Sequence, residues 1–236
     1  MVSVFALNQQ ERLDEETYNR MLRAVSSERQ KRVGKFLRWE DAQRALTAEV
    51  LLRIILVNNF GLDCDAIHFS TNKYGKPFLT HDNGPMFSIS HSGKWVVCAF
   101  GSNPVGGDVE AIRPTDFKIA ERYFTENEYA LIKGAPENLK EKQFYDLWTL
   151  KESYIKTIGK GLYKALDSFE ISLKEKGWSV SDPEADNEYN FCSFEIDDEY
   201  SLSVCYQGSV DETELKVFTI EEFITVFNYA AGVSSI

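Results

Sequence analysis

Cysteine is scarce and scattered in this 236-residue chain: Cys64, Cys98, Cys192 and Cys205 include no Cys-x-x-Cys pair. That spacing excludes a thiolate metal knuckle or a redox dithiol and fits reduced, mostly buried thiols of a cytoplasmic protein. Long apolar runs are missing as well. The longest, Val50 to Val57, is interrupted by Arg53 and falls short of the roughly 18 apolar residues of a membrane span. The N-terminus lacks the basic start, apolar middle and small-residue cleavage pattern of a secretory signal, so a cytoplasmic location and no membrane partner are expected. Positive charge is outnumbered, 26 Lys and Arg against 37 Asp and Glu, for a net charge of −11. This balance speaks against a broad nucleic-acid or anionic-membrane surface. The one basic cluster, Arg29, Lys31, Arg32, Lys35 and Arg38, comes without an aromatic-basic RNA-recognition motif. Nor does the sequence show an internal repeat or a low-complexity linker.

What the chain does have is a composition of 43% hydrophobic and 13% aromatic residues, enough for one large domain or two small ones. Period-2 patterns predict strands at Val2–Leu7, Ile67–Ser70, Met86–Ser90, Trp95–Gly101 and Val105–Glu110, and again at Asp167–Leu173, Tyr189–Ile196 and Tyr200–Tyr206. Helical patterns cover about Glu11–Val25, Ser27–Leu37, Glu40–Asn59 and Leu139–Ile158, with a short one at Ile220–Phe227. Ser27 with Gln30 and Thr125 with Glu128 read as capping boxes. Strands and helices mix without regular βαβ alternation, which predicts an α+β fold.

Two stretches carry chemistry. In Gly106-Gly107-Asp108-Val109-Glu110, a strand would turn both carboxylates to one side. About forty residues on, Trp148, Glu152 and Lys156 recur at helical spacing and share a face. Three carboxylates form a hard oxygen set suited to Mg²⁺ that also holds a phosphate, and a lysine one turn away suits charge building on a departing phosphate. By composition alone, Asp-x-Glu is a solvated strand edge and Lys-Glu-x-x-x-Lys an exposed helix face. Trp148 on the same face argues that this one is packed, where a carboxylate needs a partner. Ser90-His91-Ser92 does not read as a hydrolase triad, because adjacent strand side chains point to opposite faces and no third member is in view.

These motifs resemble those of the Sfp-type 4′-phosphopantetheinyl transferases, which activate carrier proteins. The family's Gly-(Ile/Val)-Asp-x-Glu motif is matched by Gly106–Glu110, and its Trp-(Ser/Thr)-x-Lys-Glu motif by Trp148–Lys156. Tyr74-Gly75-Lys76-Pro77, Phe87–Ser92 and Glu40–Arg44 match further motifs in the same order. The likeness runs from about Val2 to at least Phe169. It departs at Gly107, where a branched residue is usual, and Gly107→Ile is expected to be tolerated or stabilising.

The resemblance implies two similarly folded halves, residues 1–103 and 104–236, with the active site between them. It implies Mg²⁺ held by Asp108, Glu110 and Glu152, with Glu152 the base and Lys156 stabilising the leaving group. Coenzyme A would be bound by Arg29, Arg32, Arg44, Tyr74, Gly75, Lys76, Pro77, Ser90 and His91, together with Asp108 and Lys156. The partner would be an apo peptidyl or acyl carrier protein, the product a carrier bearing 4′-phosphopantetheine, and the enzyme a monomer. A Mg²⁺-dependent phosphohydrolase using water, or a non-catalytic coenzyme A-binding module, are the rival readings. Composition reads Gly75-Lys76-Pro77 as a turn; the resemblance reads it as backbone amides and a lysine cradling a phosphate.

Overall fold

The computed structural model describes residues 1–81, 84–175, 177–210 and 212–230. Apolar alternation builds β1 (Val2–Asn8), and Asp14 caps α1 (Glu15–Arg23) by accepting Thr17 N–H. The chain continues through α2 (Ser27–Val33), α3 (Trp39–Phe60), β2 (Phe69–Thr71), β3 (Pro77–Leu79), β4 (Met86–Ser92) and β5 (Trp95–Gly101). The same order then returns: β6 (Val105–Ala111), α4 (Lys118–Tyr123), α5 (Glu126–Gly134), α6 (Lys140–Ile158), β7 (Glu170–Lys174), β8 (Gly177–Ser181), β9 (Tyr189–Phe194) and β10 (Tyr200–Gln207). Pairing repeats too, β1-β5-β4 in one sheet and β6-β10-β9 in the other, with β2-β3 and β7-β8 as matching hairpins. The fold is α+β, and two halves share one connectivity. A final strand, β11 (Thr213–Phe218), pairs in parallel with β1, and α7 (Ile220–Ala230) packs on α3.

Each half has its own core, one around α3 and one around α6. A third core joins them, with Val4, Ala6, Val97 and Ala99 facing Val109, Leu202 and Val204. Both long helices end on a left-handed glycine, Gly61 and Gly159, each at φ 67°. The Thr125–Glu128 capping box is formed as expected. The other cap differs: Ser26, not Ser27, accepts Arg29 N–H and opens α2. Strands β3, β8 and β11 lay outside the sequence expectations, being short or largely exposed.

Candidate active site

The two halves meet where β4 runs beside β6, and α6 lies across β6. Gly106 makes that crossing possible: a Cβ there would overlap the Ser153 carbonyl oxygen and stand 2.5 Å from Thr157 N. Helix and strand backbones therefore touch directly, which only glycine permits. Alternation places Asp108 (4% exposed) and the half-buried Glu110 beside Trp148, Glu152 and Lys156 in the wall of a cavity of about 360 Å³. Both expected motifs therefore converge on one space. Ser90 and His91 line it as well.

Charges here are tightly arranged. Lys156 Nζ donates to Asp108 Oδ1 at 2.6 Å and to the Gly107 carbonyl at 3.1 Å. Ser90 Oγ donates to the same Asp108 oxygen, and Ser92 Oγ to Glu110 Oε2, both at 2.8 Å. Burial raises the Glu152 pKa to about 6, reinforced by the negative charges of Asp108 and Glu110 and opposed by Lys156. Burial and the Asp108 charge also raise that of Glu110. The pKa of His91 is lowered by desolvation and by the nearby Arg44 and Lys156 charges. Its side chain stays solvent-exposed, so this is the desolvation of a crowded cavity wall and not of a core.

Among the described residues, no three His, Cys, Asp or Glu side chains are gathered closely enough to share a metal ion. Asp108 Oδ2, however, is buried without a hydrogen-bond partner. An orphaned carboxylate oxygen beside two further acids fits a divalent cation in its donor chemistry. In this structure the Lys156 ammonium supplies the positive charge at Asp108.

Two further cavities adjoin the first, the far one lined by the first half alone, and Ile89 lines all three. The middle one, of about 210 Å³, is walled by Tyr74, Gly75, Lys76, Pro77 and Lys156. Asn72 organises this wall: its Oδ1 accepts the amides of Tyr74 and Lys76, and its Nδ2 donates to the Gly159 carbonyl at the end of α6. Gly75 N–H goes to the Asn72 carbonyl. All three amides are thus consumed by the turn, and the amide cradle expected from Gly75-Lys76-Pro77 is not present. Lys76 remains; burial lowers its pKa to about 8, and its ammonium donates to the Val105 carbonyl.

The far cavity, of about 420 Å³, is walled by Arg29, Arg32, Arg53 and His68. Glu49, 3% exposed, receives Arg29 Nε at 2.7 Å and Arg53 Nε at 3.0 Å. Arg44 stands outside that wall but near His91. Its guanidinium pairs with Asp41 and donates to the Gly93 carbonyl, and it lines none of these three cavities. Arg53, His68 and Asn72 were missed by sequence reasoning. Arg53 carried a signal, a charge inside an otherwise apolar helical run four residues after Glu49.

Residues 104–205 match the family model of the 4′-phosphopantetheinyl transferase superfamily, and residues 12–103 that of the 4′-phosphopantetheinyl transferase N-terminal domain. The chain belongs to this superfamily. A 4′-phosphopantetheinyl transferase of Bacillus subtilis is 37% identical over 203 residues, covering 85% of this chain and 91% of the relative. Sfp of Bacillus subtilis strain 168 is 34% identical over 94% of this chain and its own full length. The gsp transferase of Aneurinibacillus migulanus is 34% identical, over 96% and 95% respectively. The chain is thus a transferase of this family. No helix among the described residues is long and apolar enough to cross a membrane.

Proposed function

We propose that this transferase moves 4′-phosphopantetheine from coenzyme A to a serine hydroxyl of an apo peptidyl or acyl carrier protein, releasing 3′,5′-ADP. The observation that carries this reading is one run of adjoining cavities lined in order by acids, two lysines and an arginine wall. A pyrophosphate carried by a divalent cation at the acidic end, and a 3′-phosphate at the basic end, would match that sequence of charges. Arg29, Arg32, Arg53 and His68 bind the 3′-phosphate end. Lys76 and the Tyr74–Pro77 turn hold the middle, and Ser90 and His91 flank the reacting phosphates.

Asp108, Glu110 and Glu152 would hold Mg²⁺, which when bound neutralises charge on the pyrophosphate. Glu152 takes the proton of the carrier serine as its oxygen bonds to the β-phosphorus. The bond from that phosphorus to the bridging oxygen breaks, and its electron pair leaves with 3′,5′-ADP. Lys156 moves its ammonium from Asp108 toward that developing charge. The protein acts as a monomer in the cytoplasm, its halves divided at Asn103 and Pro104.

The test is to incubate the protein, Mg²⁺, coenzyme A and an apo carrier, and to weigh the carrier by mass spectrometry. A gain of one phosphopantetheinyl group is expected, and Glu152→Gln should slow it by roughly 10²–10⁴-fold with coenzyme A still bound. Coenzyme A consumed without a carrier would point instead to the phosphohydrolase reading.

A further inference from the structure

Main-chain pairing does not join β4 to β6; serine hydroxyls do. Ser88, Ser90 and Ser92 alternate along β4, and their Oγ atoms accept the N–H groups of Gly107, Val109 and Ala111 at 3.1, 3.3 and 3.1 Å. A hydroxyl that accepts still has a proton to give. Ser90 gives its proton to Asp108 and Ser92 to Glu110. Among the described residues, Ser88 Oγ gives its proton to no carboxylate. The three positions thus share one backbone task, and two of them have a second.

The two acids are not held equally. Asp108 Oδ1 is gripped by Lys156 as well as by Ser90. Ser92 Oγ is the single side-chain donor recorded for Glu110 among the described residues, and it engages Oε2. Ser92 does not itself line the cavity that Glu110 faces. We infer that Ser92 is a positioning residue: its hydroxyl fixes the Glu110 carboxylate with Oε2 turned to β4 and Oε1 left for a divalent cation. This rests on the reading of Glu110 as a metal ligand. Groups of this kind orient a ligand without touching the ion, and losing one typically weakens metal affinity by about 10- to 100-fold. The same hydroxyl ties that orientation to the junction of the two halves.

The experiment measures Mn²⁺ binding by electron paramagnetic resonance in the presence of coenzyme A, alongside thermal melts. Ser88→Ala and Ser92→Ala each leave one β6 amide without its acceptor, so both should melt lower, Ser92→Ala by at least as much because it also loses the bond to Glu110. Ser92→Ala alone should weaken Mn²⁺ binding, by about 10-fold or more. Ser92→Thr, which keeps the hydroxyl, should restore it. In a Glu110→Gln background, Ser92→Ala should weaken Mn²⁺ no further, because the residue it positions is already lost. Unchanged affinity in Ser92→Ala, or an equal loss in Ser88→Ala, overturns the positioning role. Wild-type protein that binds no Mn²⁺ with coenzyme A present overturns the metal reading itself, and the positioning role with it.

Discussion

Strands β1 and β6 hold equivalent places in the two halves, yet β1 is core along most of its length and β6 carries the acids. The difference lies at their edges. β1 is paired by main chain on both sides, with β11 and with β5. β6 is paired by main chain to β10 alone, and its other edge meets serine hydroxyls from β4. Hydroxyls satisfy the buried amides and also give hydrogen bonds to carboxylates, which a neighbouring main chain taken up with its own ladder does not. Polar chemistry sits on the half whose sheet edge was left open to side chains.

The largest effect on this comparison should come from Gly106→Ala. A methyl group there overlaps the α6 backbone, so helix and strand must separate and carry Glu152 and Lys156 away from Asp108. We expect about 3 kcal/mol of lost stability and an activity loss beyond 100-fold, read by thermal melts and the carrier mass assay. Val4→Ala on β1 removes core volume only, and should lower the melting temperature while sparing kcat. Equal loss of kcat in both variants would erase the distinction between the strands.

The two lysines of α6 sharpen the contrast next. Lys151 is buried, with Nζ at 2.6 and 2.7 Å from the Glu128 oxygens and 2.8 Å from the Phe169 carbonyl. Lys151→Met strands Glu128 in the core and should cost about 3–5 kcal/mol. Lys156, part-exposed and aimed at the cavity, should cost far less stability as Lys156→Met while abolishing most transfer. Denaturant midpoints and initial rates for the pair separate anchor from participant. Comparable destabilisation by both would show Lys156 to be an anchor too.

Smaller still is Gly107. A Cβ there meets Ala99 Cβ at 3.3 Å and Val204 Cγ2 at 3.6 Å, both fixed on neighbouring strands. The expectation that isoleucine would fit is therefore reversed. Gly107→Ala should be close to neutral, and Gly107→Ile should lose about 1–3 kcal/mol by overpacking. A higher melting temperature for the isoleucine variant would show that the halves can part to admit it.

Period explains what was legible. Asp108 and Glu110 share a strand face, and Trp148, Glu152 and Lys156 a helix face, because local geometry repeats every 2 and 3.6 residues. The repeated halves left no such trace, since connectivity can persist where residues have diverged. The serine ladder joins positions 19 apart, and Asn72 reaches Gly159 across 87 residues. Nothing local in the sequence marks either link. The sequence ties Arg44 to coenzyme A only through the resemblance, and its bond to the Gly93 carbonyl, in the turn between β4 and β5, is a tertiary contact that no local pattern marks.

The smallest effect is a pH dependence. Within the fold Glu152 has a pKa of about 6, against an ordinary 4.5. Below pH 4.5 the carboxyl is protonated in both folded and unfolded chains and contributes no difference. As pH rises toward 6 the unfolded chain releases its proton first, so stability falls over that interval and stays at the lower level above it. The penalty is bounded at about 2 kcal/mol by 1.36 kcal/mol per pKa unit, and partial exposure reduces it. Glu152→Gln has no proton to lose. Melts in EDTA without coenzyme A should therefore show the variant level with wild type near pH 4.5 and more stable at pH 7. Saturating Mg²⁺ and coenzyme A should reverse the order at pH 7, because the ionised carboxylate then has a cation to face. A gap that ignores pH would mean that Glu152 sits in the seam no more strained than an ordinary surface acid.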